Sequence, residues 1–363
     1  MWTNHAELAA YVENYNSTQN KYKIEIVYKP DPARALLHAA SVPDIVVGAY
    51  LNSPSLVEKF YPLNRLFREK KINSDLFYHD LLSMCFIDKK YRVLPISFNL
   101  PAVIFKRGKI ENEIGGLDIP LDKMKELSEK FNQKRARRVI KMGFSPYWES
   151  DFLYYTAVLM GANFRVNSSG LLSYDKNNLE KAVDFVSLWE EKTNFGFETE
   201  KSFREKYFNV PYYKLLLDGR ILFYLASSRA ILDIPDEKRS ALDFRWLSYH
   251  DNIPVEDDIL FVGIPSDSKN KRGGTDFISW FFKLETQRKI LKMNSYKRLR
   301  VLGICNGFSS IAEINERDMP KNNEMLLGHI PPRNFLVFPR AKSVNWDEEK
   351  TSLISKYFKS AQK

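Results

Sequence analysis

The sequence is poor in cysteine and histidine and contains no long apolar run. Its 363 residues include two cysteines, Cys85 and Cys305, and five histidines spread over the chain. Two distant cysteines provide neither a disulfide framework nor a CxxC metal site, and no two histidines have metal-ligand spacing. We therefore expect two buried thiols and no bound metal. No window reaches the roughly 18–20 consecutive apolar residues of a transmembrane helix.

Motifs of nucleotide binding and hydrolysis are also absent. The sequence contains no GxxxxGK[ST] loop, GxGxxG turn, GxSxG elbow or HExxH pair, so we expect no cofactor. The remaining catalytic candidates are carboxylates, namely Glu149 and the adjacent Asp257 and Asp258. Two such groups can act as acid and base on a glycoside. A chain with 45 acidic residues contains such pairs by chance, so an enzyme is kept as an alternative interpretation.

The N-terminus lacks a basic segment followed by an apolar one, which a secretory signal requires. The chain opens on Met1, Trp2 and Thr3, which look like the end of a strand that leads into a turn and a helix. We therefore expect that a targeting segment has been removed from this chain.

Positive charge is in excess, with a formal net charge of +10. The densest basic stretch is KFNQKRARRVIK at 130–141, with six lysines and arginines but one aromatic residue. Single-strand binders interleave charge with several exposed rings along a continuous groove. We interpret the stretch as a solvated surface, compatible with attraction to an anionic membrane surface, and expect no nucleic-acid partner.

The length and the order of elements indicate two α/β bodies. A chain of 363 residues exceeds the roughly 250–300 over which one hydrophobic core keeps growing. A helical pattern at 6–20, an alternating strand at 21–29, a helix at 32–40 and the apolar strand PDIVVG follow one another, which is typical of a parallel sheet. A similar series runs from 121 to 248. Ligands of such sheets bind at the carboxyl ends of the strands, here at 2–5, 49–54 and 97–99.

Two apolar segments that contain prolines are candidates for crossings between the bodies. PISFNLPAVIFKR at 95–107 carries Pro95 and Pro101, and ILFVGIP at 259–265 ends in Pro265. Proline lacks a backbone donor, so sheets confine it to strand ends, edges and bulges. We therefore predict that the chain changes lobe in each segment. The predicted N-terminal lobe comprises 1–104 plus 262–304, and the C-terminal lobe comprises 105–261 plus 305–363, with a tail that partly bridges both.

The stretch SPYWESDFLYY places aromatic rings beside carboxylates just ahead of a predicted helix. Tyr147, Trp148 and Glu149 would lie on the turn before that helix. An aromatic ring stacks on the apolar face of a sugar, and a carboxylate accepts its hydroxyl protons. The same rings could instead fill the gap between strand and helix. Rings beside carboxylates also suit a cationic ligand as well as they suit a neutral sugar.

Six stretches follow one another along the chain: WTNHAELAAYVENYN, PDIVVG, LPISFNLPAVIFK, GFSPYWESDFLYYTAVLMGANF, DGRILFYLASS and VGIPSDSKNKRGGTDFISWF. In this order they resemble the solute-binding proteins of ABC importers, in the sugar-binding group that includes maltose-binding proteins. The resemblance covers nearly the whole chain. It implies the type II periplasmic-binding-protein fold, in which two α/β lobes joined by hinge-crossing strands close over one ligand.

The resemblance also implies a function, a location and a binding site. It implies an extracytoplasmic protein, in the periplasm or at the cell surface, which captures a small polar solute, above all a carbohydrate. It further implies a monomeric lipoprotein without catalytic activity that delivers the solute to the permease subunits of an ABC transporter. The matching positions that would contact the ligand are Trp2, Asn4, His5, Asp44, Ser97, Asn99, Tyr147, Trp148, Glu149, Ser227, Ser228 and Trp246.

Two alternatives differ in kind from this expectation. The first is a carbohydrate-processing enzyme that uses Glu149 or the pair Asp257 and Asp258. The second is a surface interaction module that kept the fold and lost transport, since function resides in the site and not in the fold. Turnover of a bound sugar would identify the enzyme, and a cleft filled by its own side chains would identify the interaction module.

Overall fold

Strands and helices alternate along most of the chain. The computed structural model describes residues 1–136, 138–167 and 170–360. Arg137, which belongs to the predicted basic surface, lies outside the described residues. The described chain contains eighteen strands: β1 (Trp2–Thr3), β2 (Val27–Tyr28), β3 (Val46–Ala49), β4 (Phe86–Ile87), β5 (Lys90–Tyr91), β6 (Val93–Phe98), β7 (Pro101–Lys106), β8 (Asp118–Pro120), β9 (Gln133–Arg135), β10 (Arg138–Lys141), β11 (Arg165–Val166), β12 (Leu172–Ser173), β13 (Phe223–Ser227), β14 (Leu242–Ser248), β15 (Ile253–Pro254), β16 (Leu260–Gly263), β17 (Phe308–Ser309) and β18 (Leu336–Val337).

The α-helices cover the sheets. Within the described residues they are α1 (Leu8–Thr18), α2 (Pro32–Leu37), α3 (Asn64–Arg68), α4 (His79–Ser83), α5 (Leu121–Phe131), α6 (Asp151–Leu159), α7 (Lys176–Leu188), α8 (Phe197–Tyr207), α9 (Tyr212–Leu217), α10 (Asp236–Arg239), α11 (Lys271–Phe281), α12 (Leu284–Tyr296), α13 (Met319–Asn322) and α14 (Trp346–Ser360). In the part of the chain that the structure describes, no helix is long and apolar enough to cross a membrane.

The first lobe is built on a six-stranded sheet. Its strand order is β17-β6-β16-β3-β1-β2. Strand β1 runs parallel to β2 and β3, whereas β16 is antiparallel to both β3 and β6. All residues of β6 and β16 are buried, as expected of central strands with helices on both faces. Because β1 and β3 are parallel, their carboxyl ends lie at the same edge of this sheet.

The second lobe is built on a four-stranded sheet with the order β13-β7-β14-β8. Strand β7 is antiparallel to both of its neighbours, and β14 runs parallel to β8. The short hairpin of β9 and β10 carries the predicted basic surface, and the three residues of β9 are exposed. Cys85 of the first lobe and Cys305 are buried free thiols, as predicted.

The prolines of 95–107 lie where a sheet tolerates them. Strand β6 belongs to the first sheet and β7 to the second, with Asn99 and Leu100 between them. The pairing of β6 with β16 shifts register opposite Pro95, and Pro101 is the first residue of β7. A bulge and a strand start are positions where the missing donor breaks no regular ladder. The predicted first crossing is confirmed. The second, predicted at 259–265, is wrong: β16 in that segment already pairs with β3 and β6 of the first sheet, so the chain crosses earlier, between the end of β14 at Ser248 and Leu260.

Three crossing segments join the lobes side by side. The Glu256 N–H donates to the carbonyl oxygen of Asn99 (2.9 Å), which ties the second crossing to the first. The Val255 N–H donates to the carbonyl oxygen of Val337 (3.0 Å), where β15 and β18 run parallel. Each crossing is a short segment of one chain, so rotation of one lobe against the other needs changes at only a few backbone torsions.

The tail after residue 304 contacts both lobes. Strand β17 pairs with β6 in the first sheet, whereas α14 packs against α6 of the second lobe. The lobe boundaries 1–104 plus 262–304 and 105–261 plus 305–363 stay a prediction, and these contacts describe how the tail bridges the two.

Gly143 allows close packing of α5 on the segment after β10. Leu121, Met124 and Leu127 are buried at helical spacing, and Ser128 faces Gly143. A Cβ at 143 would lie 2.3 Å from the Ser128 Cα, which is backbone and cannot rotate away. We expect Gly143→Ala to lower the free energy of unfolding by about 1–3 kcal/mol, measured by urea denaturation. Gly116→Ala, where no atom lies within 4 Å of an added Cβ, is the control and should leave stability nearly unchanged.

Candidate functional site

A cavity of about 430 Å³ lies beside the second crossing segment. Its volume falls in the range of about 300–1,000 Å³ that is usual for small-molecule sites. Five parts of the chain bound it: the start of α6, the start of α9, strand β13 with the turn that follows, residues 256–258, and the start of α14. Its polar and aromatic lining consists of Glu149, Asp151, Tyr155, Tyr212, Tyr224, Ser227, Arg229, Glu256, Asp257, Asp258, Asp347 and Lys350.

Arg229 organises one wall of the cavity. Its Nη2 donates to Glu256 Oε2 (3.0 Å) and to Asp258, and its Nε donates to Ser227 Oγ (3.1 Å). Ser227 Oγ in turn donates to Glu256 Oε2 (2.9 Å). Burial, followed by the charge of Asp258, raises the pKa of Glu256, although Arg229 lowers it. Arg229 reaches into the cavity because the chain turns sharply where β13 ends.

Lys350 organises the opposite wall. Its Nζ lies 3.1 Å from Asp151 Oδ1 and 3.3 Å from Asp257 Oδ2, and Trp346 Nε1 also donates to Asp257. Although burial disfavours the charged amine, Asp257 and Asp151 hold the pKa of Lys350 above its usual value. This ionic cluster fastens α14 to the start of α6 and to the second crossing segment.

Glu149 and two tyrosines complete the cavity. Glu149 is half-buried, and burial, followed by the charge of Asp151, raises its pKa to about 7. The rings of Tyr212 and Tyr224 stack with centroids 4.0 Å apart and an interplanar angle of 6°. Both rings are partly exposed and line the cavity. Stacked tyrosines beside carboxylates can bind either the apolar face of a sugar or a cation.

The first lobe meets this site through the loops at the carboxyl ends of β1 and β3. The Tyr50 hydroxyl, just after β3, donates to Asp347 Oδ1 (2.7 Å) across the gap between the lobes. His5, just after β1, is close enough to Arg229 and Asp258 to interact with their charges. Burial lowers the pKa of His5 more than its acidic neighbours raise it. The strand ends of the first lobe thus face the acidic wall of the second.

Of the twelve predicted ligand-binding residues, Glu149 and Ser227 line the cavity. Ser228 and Asn99 bind each other at the first crossing: Ser228 Oγ donates to Asn99 Oδ1 (2.7 Å), and the Leu100 N–H donates to Ser228 Oγ (3.1 Å). Both residues are buried. Their polar atoms therefore serve the hinge in this conformation. Ser97 is also buried, within β6.

Three further predicted residues of the first lobe, Asn4, Asp44 and Trp2, contact their own lobe. Asn4 Nδ2 donates to the carbonyl oxygen of Pro30 (3.2 Å). Asp44 Oδ1 accepts from Ser268 Oγ (2.7 Å) and stabilises the loop before α11. The ring of Trp2 lies under the Lys29 amine, 4.7 Å from its centroid.

The predicted aromatic residues of the second lobe are packed against protein. Trp148 is 4% exposed, and its ring contacts Phe203 and Phe208 with centroids 5.7 and 4.8 Å away. Tyr147 packs edge-on against Phe197. Trp246 is fully buried, and its Nε1 donates to the carbonyl oxygen of His329 (2.6 Å). The geometry favours the second of the two interpretations given for SPYWESDFLYY, in which rings fill the gap between strand and helix.

Sequence reasoning missed most of the residues that line the cavity. Tyr212 and Tyr224 are separated in sequence and meet only through the packing of α9 on β13. Arg229 follows the predicted Ser227 and Ser228 directly, and Glu256 precedes the acidic pair that the sequence drew attention to. The sequence offered two signals: an arginine just after a predicted strand, and three consecutive acidic residues at 256–258 ahead of the apolar segment 259–265. No group of three or more acidic, histidine or cysteine side chains in the described residues could hold a metal ion.

No protein-family model and no curated protein sequence matches the chain. Solved structures, in contrast, match over nearly its whole length. The sugar-binding protein MalE from the phytopathogen Xanthomonas citri aligns with 99% of this chain and 91% of its own, with a TM-score of 0.75 and 12% identity. An ABC substrate-binding protein from Listeria monocytogenes in complex with cycloalternan aligns with 99% of this chain and 92% of its own, with a TM-score of 0.66 and 12% identity.

A third match carries a bound oligosaccharide. The maltotriose binding protein of Thermus thermophilus, bound with maltotriose, aligns with 99% of this chain and 93% of its own, with a TM-score of 0.61 and 14% identity. At such low identity the likeness shows the fold. The predicted α/β fold of the periplasmic-binding-protein type is confirmed.

Proposed function

We propose that this protein is the substrate-binding component of an ABC importer and captures a polar solute, most simply a carbohydrate, between its lobes. The observation that carries the proposal is the position of the cavity. It lies beside the crossing segments, its walls belong to the second lobe and the crossings, and the strand-end loops of the first lobe face it. A solute bound there contacts both lobes only when the lobes approach, which couples binding to closure.

The ligand contacts that we propose come from three chemical classes. Tyr224 and Tyr212 offer ring faces, Glu149 and Glu256 offer carboxylate oxygens, and Ser227 offers a hydroxyl. Of the predicted set we retain Glu149, Ser227 and His5 as direct contacts. Asn99 and Ser228 are proposed to act indirectly, by fixing the hinge.

The proposal does not include catalysis. Each member of the acidic pair, Asp257 and Asp258, is held by a cation, Lys350 and Arg229 respectively. A general acid and base of a glycosidase must be free to exchange protons with substrate and water. The proteins with similar structures are described as binding proteins, which also supports binding without turnover.

The proposed partners and location follow from the same function. We propose that the protein works outside the cytoplasm, in the periplasm or at the cell surface, and delivers its solute to permease subunits. A monomer anchored to the membrane as a lipoprotein is the simplest form of such a component. The likeness to a structure described as an ABC substrate-binding protein supports the permease subunits as partners.

A thermal-shift screen of mono- and oligosaccharides, with polyamines and amino acids alongside, tests the proposed function. A ligand at about 100 times its Kd stabilises the folded state by roughly 2.7 kcal/mol, which gives a measurable rise in Tm. No rise with any compound would contradict the proposal. Conversion of a stabilising sugar into product would favour the enzyme.

Tyr224→Ala should lower the affinity for a ligand found in that screen at least tenfold, because the mutation removes one of the two stacked rings that line the cavity. Isothermal titration calorimetry measures the affinity. Tyr296→Ala is the matched control, since Tyr296 is 89% exposed at the end of α12, and it should bind as the wild type does. Equal affinity in Tyr224→Ala would remove the ring from the proposed site.

A further inference from the structure

The charge of the cavity is opposite to that of the molecule. The chain has a formal net charge of +10, yet six carboxylates line the cavity against the two cations Arg229 and Lys350. Six minus two leaves a formal excess of four negative charges if all groups are ionised. Uncompensated carboxylates that are removed from water destabilise a folded protein. A neutral sugar needs hydrogen-bond partners but no such excess.

Glu256 retains an unused acceptor atom. The residue is 4% exposed and lines the cavity. Its Oε2 accepts from Ser227 and Arg229, whereas its Oε1 has no hydrogen-bond partner among the described residues. A buried carboxylate oxygen without a donor is costly. A positively charged ligand in the cavity, which Glu256 lines, would offset this cost.

Glu149 also lacks a positive partner in direct contact. It forms no salt bridge within the described part of the chain. The charged and titratable groups that affect it are Asp151, Arg204 and Tyr224, and of these only Arg204 stabilises its ionised form. Burial and Asp151 outweigh Arg204 and raise the pKa of Glu149 to about 7.

The surroundings of Glu256 likewise favour its uncharged form. Among the charged groups, Asp258 and Arg229 shift the pKa of Glu256 most strongly. The negative charge of Glu256 in turn raises the pKa of the Tyr155 hydroxyl. The net effect, led by burial, raises the pKa of Glu256. A further positive charge in the cavity would favour the ionised forms of both Glu149 and Glu256.

We propose that the solute of this protein carries at least one protonated amine, which binds at the wall formed by Glu149 and Glu256 beside the stacked rings of Tyr212 and Tyr224. The rings add a cation–π contribution, which reaches about 2 kcal/mol in desolvated sites. Since no three acidic groups of the described chain are arranged to hold a metal ion, an organic cation fits better than a metal. This inference rests on the proposed function and adds the charge of the ligand to it. Amino sugars and linear polyamines share the chemistry.

Calorimetric titration with matched ligands tests the charge directly. Glucosamine and its β-1,4-linked oligomers are compared with their N-acetylated counterparts, in which acetylation removes the positive charge, and with spermidine and maltotriose. The amine-bearing ligands should bind at least tenfold more tightly than the acetylated sugars and maltotriose. The ratio of glucosamine-oligomer to spermidine affinity then identifies an amino sugar or a polyamine as the source of the amine.

The outcomes separate the two proposals. If acetylated sugars or maltotriose bind as tightly as the amines, the inference is overturned and the proposed function stands. If none of these ligands binds, the proposed function is contradicted and the inference falls with it. Preference for the amines supports both.

Glu149→Gln provides a second readout because it removes one charge without removing a protein salt bridge. It should weaken binding of the tightest amine ligand at least tenfold, whereas Glu129→Gln, exposed on α5, should leave binding unchanged. In the wild type the affinity for that amine should rise from pH 5.5 to 7, since the raised pKa values of Glu149 and Glu256 favour their uncharged forms at the lower pH. An affinity that is unchanged in Glu149→Gln and flat with pH would overturn the inference.

Discussion

Replacing Lys350 with methionine should lower the free energy of unfolding by about 3–5 kcal/mol, the range observed when one member of a buried ion pair is removed. Methionine is uncharged and one atom shorter than lysine, so Asp257, which is 7% exposed, loses its contact with the Lys350 amine and keeps the bond from the Trp346 indole. Asp151 is one-third exposed and can turn to water. The loss therefore arises mainly at Asp257. Urea denaturation without ligand measures it.

Two further variants separate charge burial from simple loss of packing. Asp257→Asn combined with Lys350→Met should recover part of the loss, because both charges of the pair are then absent. Lys356→Met changes an exposed lysine of the same helix and should stay within about 0.5 kcal/mol of the wild type. A loss below about 1 kcal/mol for Lys350→Met would contradict the proposed role of this cluster in fastening α14.

Glu200→Gln should stabilise the protein at pH 8 by several kcal/mol and change it little at pH 5. Glu200 is fully buried on α8, and its Oε1 accepts from Asn194 Nδ2 (2.6 Å). Burial, followed by the charge of Glu190, raises its pKa from the ordinary 4.5 to about 8. A rise of this size corresponds to on the order of 4 kcal/mol of folding free energy.

The direction of this pH dependence follows from linkage. The folded state holds the Glu200 proton more tightly than the unfolded state does, so its contribution is fully present below pH 4.5 and is lost as the pH rises towards 8. Glutamine stays neutral and removes that loss. The measurement is the difference in unfolding free energy between variant and wild type at pH 5 and pH 8. Glu198→Gln, exposed on the same helix, should show no such difference, and an equal effect of Glu200→Gln at both pH values would contradict the account.

The first crossing between the lobes could be predicted because its signal is local. Prolines inside an apolar run leave few positions in a sheet, and both Pro95 and Pro101 occupy such positions. The segment 275–292, in contrast, has an uninterrupted apolar pattern that is typical of one continuous helix. The structure has two, α11 and α12, separated at Phe282 and Lys283. Neither glycine nor proline marks that break, so tertiary packing must set it.

The binding site could be predicted only in part, because its residues come from distant parts of the chain. Glu149 was identified from an aromatic neighbour, Trp148, that turned out to be buried. The sequence showed a ring beside a carboxylate but not which of the two faces solvent. Lys350 and Asp151 form an ion pair although about half of the chain separates them in sequence. No local sequence pattern predicts such a pair. Charge balance within the cavity is therefore information that only the fold supplies.

The central claim is that a solute bound in the cavity draws the two lobes together, and small-angle X-ray scattering tests it most directly. Scattering is recorded from the free protein and from the protein saturated with the tightest ligand of the calorimetric series. The account predicts a smaller radius of gyration in the ligand-bound sample, because the lobes approach about the three crossing segments. An unchanged radius of gyration at saturating ligand would contradict closure.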